Sequence, residues 1–467
     1  MAADDVLAEL AALRGGDLPT HGGRTLAYVY DSALPGLDAL AASAHALASS
    51  VNGLDPTAFP SLLRLENDVV AAAARLLGGG PGTVGAVTSG GTESCLLAVQ
   101  AARDARPEVA EPEIVLPETA HAAFHKAAHY FGVRAVVVPV EATTFRADPA
   151  AMAAAITGST VLVVASAPSY AHGVIDPVAE IAAAARAAGV RCHVDACIGG
   201  WVLPHAEVAP FDLSVPGVTS LSVDLHKYAY CPKGTSVLLH ASAELRRAQY
   251  FASAAWPGYT MLNSTMQSTR SGGPLAAAWA VLRHIGPDGY RDLAARALAS
   301  TRRIVDGIAA TPGLRVLGEP ESTLAAFAGL DVDVFVVADE MKARGWYVQP
   351  QFASGPSPAN LHITVTAAND GHEDAFLADL RDAVDAARAA GPPDVGPDVV
   401  AFVAALDPDG LTGEQFAGLL AAAGMGSGDQ VLPDRMAAVN TLLAAARPRL
   451  RERLLVEFLG VLYTPSE

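Results

Sequence analysis

Between residues 85 and 240, short apolar runs alternate with alanine-rich stretches of helical spacing. "GAVTSGG" (85–91) reads as a strand and a turn, and "SCLLAVQAARDA" (94–105) places its apolar residues at helical intervals. The alternation continues. Strands are predicted at "EIVLPE" (113–118), "RAVVVPV" (134–140), "TVLVVASAP" (160–168), "VRCHVDA" (190–196), "TSLSVDLHK" (219–227) and "GTSVLLH" (234–240). Helices are predicted at "AHAAFHKAAHYFG" (120–132), closed by Gly132, at "DPAAMAAAIT", and at "VAEIAAAARAAG" (178–189), closed by Gly189. Strands that are apolar at nearly every position are covered on both faces. The pattern therefore predicts a mostly parallel α/β sheet, with ligands bound beyond the carboxyl ends of its strands.

Past about residue 300 the pattern changes. "TRRIVDGIAA" is helical, and "LRVLGEP", "VFVVADEMKARG" and "NLHITVT" fit a smaller α+β domain. A Pro/Gly-rich break, "AGPPDVGPD" (390–398), precedes a helical tail. The expected organisation is an N-terminal segment at 1–65, a large domain at 66–300, a small α+β domain at 301–391 and a helical extension at 392–467.

Composition narrows the function. The 467 residues are 51% hydrophobic, and the formal net charge is −18. That charge repels nucleic acid and anionic lipid, and no basic patch offsets it. No run reaches the about 20 apolar residues of a membrane helix, and the N-terminus lacks a signal-peptide pattern. A soluble cytoplasmic protein is expected. The four cysteines, Cys95, Cys192, Cys197 and Cys231, form no CxxC pair and are read as buried reduced thiols.

One stretch, "SVDLHKYAYCPKGTSVLL" (222–239), places Lys227 beside His226 near a predicted strand end. A lysine amine there suits Schiff-base chemistry with pyridoxal 5'-phosphate. That cofactor also needs a carboxylate for its ring nitrogen, a flat group on its ring and donors for its phosphate. Asp195, closing the strand in "CHVDACIGG", is the carboxylate candidate. "TSGGTES" (88–94), with Gly91 and Thr92 at a helix start, is the phosphate candidate, and His121 is the stacking candidate. Each alone has an ordinary reading: a surface lysine, a capping aspartate, a glycine turn, a helix-start histidine. Their common position at strand ends is what links them.

Three other patterns fail on context. Gly80-x-Gly82-x-x-Gly85 follows a helical stretch and not a strand, so it is no dinucleotide fingerprint. His121, His125 and His129 are spaced like metal ligands but lack the HExxH glutamate; no metal is expected. "LDPDGLTGEQF" (406–416) lacks the acidic ligands of a calcium loop and reads as a turn and helix cap.

From about residue 20 to 390 the chain resembles the pyridoxal-phosphate-dependent group II decarboxylases, and within them the sphingosine-1-phosphate lyases. The resemblance rests on "DPTAFPSLLRLENDVV", "VTSGGTESCLLA", "HGVIDPV", "CHVDACIGGWVLP", "DLHKYAYCPKGTSVLL" and "TRSGGPLAAAWAVLRHIGPDGY". It implies the aspartate-aminotransferase-like type I fold of pyridoxal-phosphate enzymes, with a mostly parallel large domain and a smaller C-terminal α+β domain. It implies that Lys227 carries the cofactor as an internal aldimine, with His226, Gly91 and Thr92 at its phosphate, Asp195 at its pyridinium nitrogen and His121 on its ring. It further implies a homodimer with shared active sites, in which Ser271, Gly272 and Gly273 contact the phosphate of the partner subunit, and an active-site role for Tyr30. The implied reaction is retro-aldol cleavage of a phosphorylated long-chain amino alcohol to a fatty aldehyde and phosphoethanolamine. Amino-acid decarboxylation is the alternative that the same apparatus allows. "WPGYTMLNST" (256–265), with Met261 and Tyr259, departs from the lyase pattern in a segment expected to line the substrate channel.

Overall fold

The computed structural model describes residues 2–55, 57–259, 261–422 and 433–465. Thr260 of the 256–265 segment, and residues 423–432 and 466–467 of the expected tail, lie outside the described residues. The chain divides into two compact units. The first comprises Met1–Arg302, Glu319–Leu324 and Thr364–His372; the second comprises Arg303–Gly318, Ala325–Ile363 and Glu373–Glu467.

The first unit is built on a sheet of seven strands: β1 (Val84–Thr88), β2 (Glu113–Pro117), β3 (Arg134–Val138), β4 (Thr160–Ser166), β5 (Arg191–Asp195), β6 (Ser220–Asp224) and β7 (Ser236–His240). Their order is β1-β7-β6-β5-β4-β2-β3. β2, β3, β4, β5 and β6 run parallel, and β7 lies antiparallel between β6 and β1. The hairpin from β6 to β7 is what reverses β7, and its connection contains Lys227. Six strands therefore end at the same edge of the sheet.

The helices of this unit are α1 (Ala3–Leu13), α2 (Leu37–Ala48), α3 (Pro60–Leu76), α4 (Gly91–Asp104), α5 (Ala122–Phe131), α6 (Pro149–Ala154), α7 (Val178–Ala187), α8 (Ala243–Arg247) and the start of α9 (Gly273–Ala309). α9 breaks at Gly286 (φ 65°), ahead of Pro287. Successive strand residues face opposite sides. Ile114 and Leu116 of β2 pack with Phe124 of α5, whereas Val115 packs in a second cluster with Ile181 of α7. The all-apolar strand pattern is thus two cores, one on each face. α6 ends at Ala154, short of the "DPAAMAAAIT" pattern. There Thr157 turns out of the helix: its amide donates to Thr160 Oγ1 and its hydroxyl to Glu113 Oε2. Two short strands, β8 (Phe251–Ser253) and β9 (Met261–Asn263), form a separate antiparallel pair.

The second unit holds a sheet of β10 (Leu314–Val316), β11 (Leu324–Gly329), β12 (Gln349–Gln351) and β13 (Asn360–Thr364), in the order β10-β11-β13-β12. α10 (Val334–Ala343) and α11 (Glu373–Ala390) belong to the same unit, where Trp346 packs edge-on against Phe376 at 5.3 Å. α12 (Pro397–Ala405), α13 (Gly413–Ala422), α14 (Ala437–Ala445) and α15 (Pro448–Leu462) gather around Val403, Leu442 and Leu450. Thr412 and Gln415 cap α13 reciprocally, which is the helix cap expected in "LDPDGLTGEQF". No helix among the described residues is long and apolar enough to cross a membrane.

Candidate active site

β6 ends at Asp224, and the chain turns at once through His226 and Lys227 before β7 returns it. The turn brings three ionisable groups together. Lys227 Nζ lies 2.9 Å from Asp224 Oδ2, and His226 Nε2 lies 3.5 Å from the same oxygen. The Asp224 side chain is 2% exposed and that of Lys227 21%, so the amine is the reachable end of a buried pair. Burial opposes charge on both partners, and their mutual attraction outweighs it. The Lys227 ammonium stands well above the ordinary lysine value, and the Asp224 carboxyl lies below its own, with His226 assisting. His226 is pushed down, by burial first, and its Nδ1 accepts the Thr235 amide at 3.3 Å.

Asp195 is the last residue of β5, the neighbour of β6 in the sheet. Its Oδ1 accepts the Cys197 amide at 3.1 Å and the Ser222 hydroxyl at 3.4 Å. Ser222 also bonds His193 Nε2 at 3.2 Å, and His193 Nδ1 bonds Ser220 at 2.8 Å. Burial pushes His193 down to about 4, so it is a neutral prop behind the carboxylate. Both hydrogen bonds that Asp195 accepts fall on Oδ1; Oδ2 takes neither.

The glycine loop closes on the same place. α4 starts at Gly91 directly after β1, and its first turn points backbone N–H groups out of the helix. Gly91 sits so close that a Cβ there would stand 2.7 Å from Cys197 Sγ and 2.8 Å from each Asp224 oxygen. Gly90 faces His226, with a Cβ position 3.5 Å from its Cε1. Glu93 secures the loop, its carboxylate accepting the amides of Ser89 at 2.6 Å and Met266 at 2.8 Å. Gly91→Ala forces the carboxylate or the loop aside, at a cost of about 1–3 kcal/mol. The expected result is a cofactor affinity at least about tenfold weaker, read by titrating the visible absorption band; unchanged affinity would mean the close approach is incidental.

His121 caps α5 just beyond β2, its Nδ1 accepting the Ala123 amide at 3.1 Å and its ring exposed. Tyr30 is half-buried, edge-on to Tyr228 at 5.2 Å, and burial pushes its hydroxyl up to about 12. Lys233 Nζ lies 4.9 Å from the centre of the Tyr30 ring and donates to the Tyr28 carbonyl at 3.0 Å. Burial and the nearby Lys227 charge push Lys233 down to about 8.

The structure thus gathers Lys227, His226, Gly91 and Tyr30 around Asp224, and puts Asp195, His121 and Thr92 at strand ends of the same edge. It does not bring Ser271, Gly272 and Gly273 to this cluster. Ser271 donates to the Ser49 carbonyl at 2.9 Å, and side chains on Gly272 and Gly273 would collide with Leu62 and His45. Of the 256–265 segment, Met261–Asn263 form β9, and Trp256 and Tyr259, between β8 and β9, meet edge-on at 5.3 Å. Two residues escaped the sequence reading. Asp224 was visible only as a carboxylate three residues before the lysine, and Lys233 as the second lysine of "KYAYCPKG". The histidine series holds no metal-like group; among the described residues the one such grouping is Cys95, Asp195 and Cys197. The hydrogen bond between the two cysteines, with burial, pushes the Cys197 thiol well above its usual value, which disfavours the thiolate a metal needs.

The residues fit pyridoxal phosphate on grounds internal to the structure. A reachable amine, a carboxylate oxygen without a protein partner and a helix N-terminus converge at one strand edge. The hydroxyls of Thr119, beyond β2, and Ser169, beyond β4, are buried there without partners. The class this arrangement defines has a family model, the pyridoxal-dependent decarboxylase conserved domain, which matches residues 21–329. A model of the C-terminal HTH domain of pyridoxal-dependent enzymes matches residues 397–461. The sphingosine-1-phosphate lyase of Dictyostelium discoideum is 41% identical over 73% of this chain and 65% of its own length. That of Oryza sativa subsp. japonica is 38% identical over 83% of this chain and 73% of its own. The chain therefore spans about two thirds of the length of these curated relatives. The solved sphingosine-1-phosphate lyase of Burkholderia pseudomallei superposes with a TM-score of 0.79 at 35% identity, covering 84% of this chain and 92% of that one. A Lactobacillus brevis glutamate decarboxylase superposes at 0.74 with 19% identity, over 84% of this chain and 95% of its own, a likeness of fold. The chain belongs to the sphingosine-1-phosphate lyases of the pyridoxal-dependent decarboxylase family.

Proposed function

We propose that this chain cleaves the Cα–Cβ bond of a phosphorylated long-chain amino alcohol, releasing a fatty aldehyde and phosphoethanolamine, with pyridoxal phosphate held at Lys227. The cofactor supplies, when bound, a ring that accepts the electrons of the breaking bond. The chain's residues do the rest. Lys227 would hold the cofactor through its amine. Asp195 holds the proton on the ring nitrogen, and His121 covers the ring. His226 and the first turn of α4, at Gly91 and Thr92, bind the phosphate. Tyr30, with Lys233 against its ring, would line the site beside Lys227 and help to position the substrate.

The cluster of Lys227, Asp224 and His226 beside the open oxygen of Asp195 carries the cofactor reading. The likeness to lyases at 35–41% identity, against 19% for the glutamate decarboxylase structure, favours the lyase reaction. The reading includes a homodimer. In it Ser271, Gly272 and Gly273, which pack within their own chain, would contact the phosphate held by the partner subunit. A panel of amino acids offered to the cofactor-loaded protein should yield no carbon dioxide. Stoichiometric carbon dioxide from any of them would move the chain to the decarboxylases.

A further inference from the structure

We propose that Asp224 is a positioning residue for Lys227: its carboxylate receives the lysine amine whenever that amine is not bonded to the cofactor, and keeps it in place for its return. The inference rests on the reading of Lys227 as the cofactor anchor. A lysine that lets go of its cofactor must wait somewhere. A long flexible side chain that wanders would recapture the cofactor slowly, and order of this kind governs effective molarity.

The geometry supplies the waiting place. Asp224 lies at the end of β6, fixed by its amide, which donates to the Cys197 carbonyl at 3.1 Å. Its Oδ2 takes the Lys227 amine at 2.9 Å; its Oδ1 is buried with no hydrogen-bond partner. A buried carboxylate oxygen left open in this way is costly unless something uses the charge. A purely structural carboxylate would be satisfied on both oxygens, as Asp176 and Asp339 are by backbone amides. Nor does Asp224 suit the phosphate, since like charges repel. Gly91 gives it room, because any side chain there would meet both its oxygens. His226, held by the Thr235 amide, flanks it and limits its swing.

The test is competitive acetylation of the full chain, freed of cofactor, across pH 6–11, with labelling at Lys227 and Lys233 measured by peptide mass spectrometry. Acetylation reads the neutral amine. In the native chain Lys227 should label at higher pH than Lys233. In Asp224→Asn its labelling at pH 8 should rise about tenfold or more, the effect of one unit or more in acidity. Asp224→Glu should restore most of the protection, which a role in packing alone would not. Labelling of Lys227 at or below the pH of Lys233 in the native chain overturns the proposal even if Asp224→Asn fails to fold. So does an Asp224→Asn profile that superimposes on the native one. Cofactor attachment at Lys227 is read separately, from the absorption band of Lys227→Ala, so the two claims fail independently.

Discussion

Lys227→Ala is expected to abolish the visible absorption band of the cofactor-loaded protein and to lower turnover by about 10³-fold or more. Among the described residues its amine is the only one at this strand edge that is both reachable and placed against the Asp195 and Gly91 elements. Lys233, the nearest alternative, is occupied by the Tyr28 carbonyl and the Tyr30 ring. The fold should survive with a lower melting temperature. Removing the lysine strands the Asp224 carboxylate, and breaking such a buried pair costs about 3–5 kcal/mol. His226, 3.5 Å away, offsets part of that. The double variant Lys227→Ala, Asp224→Asn should therefore melt higher than the single variant. A band that persists in Lys227→Ala would show that another lysine carries the cofactor.

Asp195→Asn is expected to keep the cofactor and lose turnover by about 10²–10³-fold, the usual scale for removing one preorganised electrostatic partner. The amide preserves the shape of the side chain. It can still accept the Cys197 amide and the Ser222 hydroxyl. It cannot hold a proton on a pyridine nitrogen, because it brings no negative charge. The separation of binding from turnover is the diagnostic point: the band should remain while kcat falls. Turnover near that of the native chain would remove Asp195 from its role.

Much of this site was legible because strand ends are legible. Asp195 and Lys227 are polar residues closing apolar runs, and a charge in that position needs a partner. The glycines before α4 marked a close approach, and the structure names what approaches: Asp224 and Cys197. Asp224 itself was hidden by its place inside "SLSVD", where a carboxylate reads as the end of a strand. Only the turn of the β6–β7 hairpin brings Lys227 back over it. The antiparallel course of β7 was hidden for a similar reason. Buried strands read alike in either direction, and the short "HKYAYCPKG" connection was the one signal against a crossover helix. The glycines at 272 and 273 serve two readings. They look like a phosphate loop, but in their own chain they make room for Leu62 and His45.

The chemistry at Lys227 is tested most directly by mass spectrometry of the products formed from a phosphorylated sphingoid base, with Lys227→Ala as the control. A long-chain aldehyde and phosphoethanolamine are expected in equal amounts, and neither from the variant. A loaded protein with a normal absorption band that leaves the sphingoid base intact would contradict the proposed cleavage.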